Sequence, residues 1–304
     1  MSGVFIGTDG FAAGVLERLS DAGSQSKPEL VITRPDSPKG RGRKLSPPPV
    51  AEAAVELGIT VLQPEDIGSP EVAERIDSIN PPALSLCAYG AIIRDPLLST
   101  RPILNLHPSL LPRWRGAAPI ERALMAGDSE TGVSIIQLVE ALDAGPMALQ
   151  ERIEIGASDD FASLSGRLIE LGAKLLTEAL LMADVGSIEF SPQPGEGETY
   201  AERIVAADRI LDPAMSATEA ERKIRALRPH IGARLKLPSG EFLGVREGLV
   251  AHSGPSVGEV REVDGELLVG FSSGALRVTR LIPAGGREMD ASEWLRGHPA
   301  LDRS

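Results

Sequence analysis

Apolar positions in the first half of the chain fall into two alternating patterns. Short, almost continuous apolar runs predict buried strands at 4–7, 30–33, 60–62, 83–88, 103–106 and 133–139. Runs with helical spacing predict helices at 11–22, 48–57, 70–78, 117–126 and 160–184. Fully apolar strands that alternate with helices are typical of a parallel sheet covered on both faces. We therefore predict a Rossmann-like α/β domain with a mostly parallel sheet over residues 1–187.

The second half follows a different pattern. Glycine, proline and serine are concentrated in Gly186–Thr199, and we predict a linker at 188–205. Beyond it lies a helical run at 218–227, followed by short strand-like runs at 233–237, 242–244, 257–263, 267–271 and 276–281. Evenly spaced short strands favour a small β-barrel. We predict an OB-like β-barrel domain over residues 206–304.

Composition is typical of a globular protein, with 42% hydrophobic and 24% charged residues in 304. The single cysteine, Cys87, excludes an internal disulfide framework, and its apolar surroundings predict a buried structural thiol. One cysteine and four scattered histidines do not form a cluster of metal ligands, so no metal is expected. The N-terminus does not have the pattern of a signal peptide, and no apolar run approaches the ~20 residues of a membrane helix. We expect a soluble, cytoplasmic protein.

The charge of the chain is distributed unevenly. The net charge is −12, and residues 201–304 carry equal numbers of acidic and basic side chains, so the excess of acid lies in the first 200 residues. Two segments of that acidic part are nevertheless basic. They are 34–44 (RPDSPKGRGRK) and a second cluster formed by Arg101, Arg113, Arg115 and Arg122. Such patches can steer a polyanion to one face of an acidic protein, although a solvated basic loop has the same composition.

Three polar residues stand out between positions 105 and 147. Asn105 and His107 are two residues apart at the end of a predicted strand, so their side chains project to the same side. Asp143 follows the next predicted strand, and we expect all three at the carboxyl edge of the sheet, where ligands of such sheets bind. An amide donor, an imidazole and a carboxylate are the groups needed for acyl transfer to an amine.

Each of these residues also has an ordinary structural explanation. An isolated Asn-x-His pair is a weak signal, a lone histidine beside apolar residues is usually satisfied within the core, and Asp-x-Gly is usually a turn. The turn GTDGFAAG at 7–14 matches neither the dinucleotide nor the P-loop pattern. The combination of the three polar residues at successive strand ends is what favours catalysis.

Long motifs surround these three residues. NLHPSLLPRWRGAAPI and TGVSIIQLVEALDAGPM, together with FIGTDGFAAGVLERL, RPDSPKGRGRKLSPPPV, CAYGAIIRDPLL, TYAERIVAADRILDP and LIPAGGREMDASEWLRG, closely resemble the methionyl-tRNA formyltransferases. The resemblance covers most of the chain and thins over roughly the last 80 residues. RWRGAAPI after SLLP, the basic insertion after the second strand and the second domain distinguish this family from other formyltransferases.

The resemblance implies an activity and its residues. It implies transfer of a formyl group from 10-formyltetrahydrofolate to the α-amine of initiator methionyl-tRNA in translation initiation, by a protein that we expect to be a monomer. The implied catalytic residues are Asn105, His107 and Asp143. The residues implied to bind the folate donor are Ser109, Leu110, Leu111, Pro112, Tyr89 and Gly90. The residues implied to contact tRNA are Lys39, Arg41, Arg43 and Lys44, with Arg41 in the place of the family's important arginine.

Two other functions remain open at this point. A formyltransferase that acts on an amino sugar nucleotide would share the Asn-x-His and Asp core, but would have less use for the 34–50 insertion and the second domain. A non-enzymatic RNA-binding protein on the same fold would not need all three catalytic residues.

Overall fold

The computed structural model describes residues 3–21, 26–39 and 43–298. The chain forms two compact units. The first comprises Met1–Gly116, Glu130–Ile153 and Ser165–Tyr200, and the second comprises Ala117–Ser129, Glu154–Leu164 and Ala201–Ser304.

The strands are short, and most match the apolar runs of the sequence. They are β1 (Val4–Gly7), β2 (Leu30–Ile32), β3 (Ser37–Lys39), β4 (Lys44–Ser46), β5 (Thr60–Leu62), β6 (Leu84–Cys87), β7 (Ile103–His107), β8 (Arg115–Gly116), β9 (Glu130–Gln137), β10 (Met147–Glu154), β11 (Tyr200–Ala201), β12 (Ala233–Lys236), β13 (Phe242–Ala251), β14 (Val260–Val263), β15 (Glu266–Gly270), β16 (Ala275–Ile282) and β17 (Met289–Asp290). The helices are α1 (Gly10–Asp21), α2 (Pro49–Glu56), α3 (Pro70–Ile79), α4 (Leu97–Thr100), α5 (Pro119–Ala126), α6 (Phe161–Asp184), α7 (Ala217–Leu227) and α8 (Ala291–Arg296). No described helix is both long enough and apolar enough to cross a membrane.

The main sheet of the first unit has the strand order β10-β9-β7-β6-β1-β2-β5. The five strands from β7 to β5 are parallel to their neighbours, whereas β9 is antiparallel to β7. The central strands β1, β2, β6 and β7 are buried along their whole length, as expected for strands covered on both faces. The predicted fold class, with a mostly parallel sheet, is confirmed.

Helix α6 lies close to β7, the strand that carries two of the candidate residues. A Cβ atom at Gly172 of α6 would lie 2.8 Å from Leu106 Cδ1. Glycine is therefore required for this helix to lie against that strand without displacing Leu106.

The second unit has its own sheet and core. Its strands follow the order β12-β13-β16-β15-β14, with β17 paired to β16, and every pairing in this sheet is antiparallel. Apolar side chains of this sheet pack with those of α7 and α8 into a separate core that includes Leu227, Val245, Leu276 and Trp294. The short strands predicted after the linker are confirmed, and they form an antiparallel sheet. Helix α5 packs with α7 in this unit.

Several elements were not predicted from the sequence. Strands β3 and β4 overlap the basic segment 34–44, where proline, glycine and charged residues obscure the strand pattern. Strand β10 alternates partly buried and exposed positions and was missed because it lacks a continuous apolar run. Strand β13 extends to Ala251, beyond the predicted end at residue 244, because its outer half is largely exposed.

The single cysteine is buried, as predicted. Cys87 is fully enclosed at the end of β6. Burial, with a smaller contribution from the charge of Asp9, raises the pKa of its thiol well above the ordinary value. The unfolded thiol ionises at lower pH, so its contribution to stability is present below the ordinary thiol pKa and is lost as the pH rises above it.

We expect Cys87 in the native protein to be almost inert to a thiol reagent such as Ellman's reagent at pH 8, because thiolate is the reactive form and the side chain is enclosed. The same reaction in guanidinium chloride should be fast and should release one equivalent of chromophore. Equal rates for the native and unfolded protein would contradict the buried position.

Candidate active site

Strand β7 positions two of the candidate side chains. Asn105 and His107 are only 7% and 5% exposed, although both are polar. Their spacing of two residues on a regular strand places both side chains on one face of the sheet, as predicted. Buried polar groups need hydrogen-bond partners, and both residues find theirs in loops that cover this face.

Asp143 reaches the same site from a loop whose path could not be predicted from the sequence. Its loop, residues 138–146, joins β9 to β10. Because β9 is antiparallel to β7, with Gln137 opposite Leu104, strand β9 ends at the opposite edge from the end of β7. The expectation that Asp143 follows a strand to the carboxyl edge is therefore wrong. The loop instead folds back along β7, and its turn gives Asp143 a positive φ of 46°.

The three side chains nevertheless converge. Asn105 Nδ2 donates to Asp143 Oδ1 over 3.3 Å, and His107 Nδ1 lies 3.6 Å from Asp143 Oδ2. The side chains of His107 and Asp143 are 6% and 11% exposed. The structure thus brings together an amide, an imidazole and a carboxylate with little access for water.

A backbone carbonyl fixes the tautomer of the imidazole. His107 Nε2 lies 2.8 Å from the carbonyl oxygen of Trp114. A carbonyl can only accept, so Nε2 carries the hydrogen and donates it. Nδ1 is then the ring nitrogen that can gain or lose a proton, and it is the one that faces Asp143.

The carboxylate of Asp143 has a further backbone donor. The N–H of Gly116 donates to Asp143 Oδ2 over 2.8 Å. Hydrogen bonds to an ionised carboxylate stabilise its charge in a place that is poorly hydrated. Gly116 and Trp114 therefore hold Asp143 and His107 from one short segment of chain.

The loop after β7 is held by a buried serine. Ser134 of β9 is fully buried; its Oγ donates to the carbonyl of Ser109 over 2.7 Å and accepts from the N–H of Leu111 over 3.1 Å. Gln150 Nε2 donates to Ser134 Oγ and to the carbonyl of Leu111, over 2.8 and 3.0 Å. The side chains of Ser109, Leu111 and Pro112 are buried, whereas Leu110 is partly exposed.

The loop after β6 carries the other residues expected to bind the donor. The side chain of Tyr89 is 6% exposed, and its carbonyl accepts from Thr8 Oγ1 over 2.8 Å. Ala88 and Gly90 on either side are exposed and have positive φ values of 44° and 74°. Burial raises the pKa of the Tyr89 phenol, so this side chain stays neutral at physiological pH.

Strands β3 and β4, which overlap the basic segment 34–44, pair with each other in antiparallel fashion. Lys39 ends β3 opposite Lys44, the first residue of β4, and Arg43 has an exposed side chain and a φ of 47°. Arg41 lies outside the described residues. This segment therefore presents Arg43 and Lys44 to solvent.

Most arginines of the second basic cluster form ion pairs. Arg101 is paired with Asp77, Arg115 with Glu198 over 2.8 Å, and Arg122 with Asp208 over 3.0 Å. The remaining member, Arg113, has its guanidinium 4.3 Å from the centre of the Trp114 ring. Three of these four arginines are therefore held in ion pairs within the first or the second unit.

Sequence reasoning missed the groups that hold the site together. Trp114 and Gly116 act through backbone atoms, which carry no residue-type signal. Ser134 and Gln150 lie on β9 and β10, and only the pairing of those strands brings them to the loop. Among the described residues, no group of three or more His, Cys, Asp or Glu side chains could hold a metal ion.

Comparison with known proteins defines the family. Residues 2–180 match the formyl transferase family and residues 203–299 match the formyl transferase C-terminal domain. The chain is 44% identical to the methionyl-tRNA formyltransferase of Halorhodospira halophila over 301 residues, which is 97% of this chain and 95% of the relative. It is 40% identical to that of Aromatoleum aromaticum, over 97% of this chain and 93% of the relative.

Solved structures share the fold. An N-formyltransferase from Helicobacter canadensis, in complex with folinic acid and dTDP-3-aminofucose, superposes with a TM-score of 0.65 at 15% identity, covering 91% of this chain and 99% of that one. A methionyl-tRNA formyltransferase from Clostridium thermocellum gives a TM-score of 0.56 at 15% identity, covering 84% and 96%.

Proposed function

The chain belongs to the methionyl-tRNA formyltransferase family, and we propose that Asn105, His107 and Asp143 are its catalytic residues. The enzyme transfers the formyl group of 10-formyltetrahydrofolate to the α-amine of initiator methionyl-tRNA. The observation that carries the assignment of residues is the convergence of an amide, an imidazole and a carboxylate on one buried face of the sheet.

The reaction exchanges one carbon–nitrogen bond for another. The amine nitrogen of the methionyl ester attacks the formyl carbon, and the bond between that carbon and N10 of the folate breaks. The amine loses one proton and N10 gains one, so the enzyme must move a proton and stabilise the intermediate oxyanion. The pKa of the ester-activated amine should not exceed the ~8 of a free amino terminus, so much of it is already nucleophilic near neutral pH.

Asn105 is suited to the oxyanion. One hydrogen of its amide is directed at Asp143, and a side-chain amide has a second one to donate. The backbone of β7 fixes the residue, so its donor is aimed before the substrate arrives. Such preorganised donors contribute most to catalysis of acyl transfer.

His107 and Asp143 are suited to proton transfer. Because Trp114 holds the Nε2 hydrogen, protons are exchanged at Nδ1, which faces the Asp143 carboxylate. Their separation of 3.6 Å exceeds a hydrogen bond, but catalytic hydrogen bonds are often long without substrate and tighten in the complex. A proton taken from the amine can then be held by this pair and delivered to N10.

We propose that the loops at Ser109–Pro112 and Tyr89–Gly90 bind the donor. Ser109, Leu111, Pro112 and Tyr89 have buried side chains, so they would shape these loops, and the exposed Gly90 and the partly exposed Leu110 would contact the folate. Hydrogen bonds to backbone groups suit the amide-like edge of a pterin. The buried Ser134 keeps one of these loops in place before the donor binds.

We propose that basic residues outside this site bind the acceptor, methionyl-tRNA. Lys39, Arg41, Arg43 and Lys44 of the basic segment would contact phosphates near the acceptor end. We further propose that residues 1–187 form the catalytic domain, 188–205 the linker and 206–304 a tRNA-binding domain. A reducing compartment suits the single buried thiol, and we propose that the enzyme acts as a cytoplasmic monomer.

The activity can be tested directly. Formylation of charged initiator and elongator methionyl-tRNA, with 10-formyltetrahydrofolate as donor, should proceed much faster with the initiator. An amino sugar nucleotide in the same assay should not be formylated. Formylation of the amino sugar nucleotide alone would assign the chain to the rival class of formyltransferases.

We expect Asn105→Ala, His107→Ala and Asp143→Ala each to lower kcat by roughly 10²–10³, on the order of 3–4 kcal/mol, because each removes a group that acts in the transition state. Single-turnover formylation with saturating tRNA and donor measures this loss. The exposed His252 provides the control, since His252→Ala should keep full turnover. Near-normal turnover in any of the three variants would remove that residue from the catalytic set.

Arg41→Ala should mainly raise the KM for tRNA, and the defect should shrink at high salt because contacts with phosphates are electrostatic. Initial rates at several tRNA and salt concentrations would measure this. Arg152→Ala is a matched control, because Arg152 is an exposed arginine of the same unit, paired with Glu130. An unchanged KM for tRNA at low salt would exclude the contact.

A further inference from the structure

One side chain of the predicted linker is directed at the catalytic loop. Residues 191–198 are exposed except for Gln193, which is partly buried. The segment is attached to the first unit by a pair of backbone hydrogen bonds between Met147 and Ser191, of 2.8 and 2.9 Å. Gln193 thus projects inward from a chain that is itself anchored two residues earlier.

The amide of Gln193 spans the turn that contains Asp143. Its Nε2 donates to the carbonyl of Asp143 over 2.7 Å and to the carbonyl of Gly145 over 2.8 Å. Both hydrogens of the amide are used, one for each carbonyl. The turn they clamp is the one in which Asp143 has its positive φ, a conformation that residues other than glycine rarely adopt without support.

The other end of the amide is held by a buried arginine. Gln193 Oε1 accepts from Arg115 Nη2 over 2.7 Å and from Nε over 3.2 Å. Arg115 is 8% exposed, and its Nη1 is paired with Glu198 over 2.8 Å. Because a guanidinium only donates and a carbonyl only accepts, a single orientation of the Gln193 amide satisfies all four hydrogen bonds.

Two neighbouring residues, Arg115 and Gly116, therefore hold both the backbone and the carboxylate of Asp143. Arg115 reaches the backbone of Asp143 through Gln193, and the next residue, Gly116, donates its N–H to the carboxylate. This arrangement fixes the direction of the carboxylate with respect to His107 Nδ1 and Asn105 Nδ2.

We propose that Gln193 is a positioning residue for the formyl transfer, which sets the Asp143 carboxylate against His107 without touching either substrate. The inference rests on the proposed catalytic role of Asp143. It gives the predicted linker a part in catalysis besides joining two domains.

The test compares two substitutions at this position. Gln193→Ala removes the clamp, and Gln193→Glu keeps the size and the acceptor for Arg115 but replaces both donors with a carboxylate oxygen that faces two carbonyls. We expect both to lower kcat by roughly 10- to 100-fold, since a displacement of about 1 Å can cost that much, while the KM values for tRNA and donor change little. The pH profile of kcat should also shift, because the Asp143–His107 geometry decides where the transferred proton is held.

A matched control distinguishes the loss of the two Gln193 donors from a general disturbance of the segment. Glu198→Gln weakens the ion pair with Arg115 but leaves Gln193 in place, so it should keep nearly full kcat and the normal pH profile. Wild-type kcat and pH profile in Gln193→Glu would overturn the proposal, and so would an equal loss in Glu198→Gln. Should Gln193→Ala fail to fold, the isosteric Gln193→Glu decides the question by the same readouts.

Asp143→Ala belongs in the same series. If it loses activity while both Gln193 variants keep theirs, the positioning role alone is wrong. If Asp143→Ala itself keeps turnover, the proposed catalytic set is wrong, whatever the Gln193 variants show.

Discussion

The site depends on a carboxylate that is largely shielded from water and must therefore be held by hydrogen bonds. The side chain of Asp143 is 11% exposed, and an ionised group in such a place is costly unless it is hydrogen-bonded. The N–H of Gly116 and the amide of Asn105 supply those hydrogen bonds. The loops of the first unit hold this carboxylate beside an imidazole, 3.6 Å from His107 Nδ1.

Two different parts of the sheet supply the three side chains of this arrangement. The parallel part of the sheet supplies β7, whose regular alternation places Asn105 and His107 together. The antiparallel hairpin of β9 and β10 supplies Asp143 from a loop, and it also supplies Ser134 and Gln150, which hold the loop after β7. Catalytic groups carried by loops on a rigid sheet are common because loops can vary while the sheet is preserved.

Much of the fold could be predicted from the sequence, because burial of strands and helices leaves a regular pattern of apolar positions. The alternation in β7 was likewise enough to pair Asn105 with His107. The antiparallel direction of β9 could not be predicted, since an apolar run does not reveal its direction. The role of Gln193 left no trace either: a lone glutamine among exposed glycines, prolines and acids looks like any linker residue, and its contacts are 48 and 50 residues away.

We propose that Asn105, His107 and Asp143 act as one unit. Groups that act as a unit give strongly non-additive losses when they are removed together. The most direct measurement is single-turnover formylation of initiator methionyl-tRNA by His107→Ala, Asp143→Ala and the double variant. We expect the double variant to be about as slow as the slower single variant. A loss equal to the product of the two single losses would contradict it, because the two residues would then be acting independently.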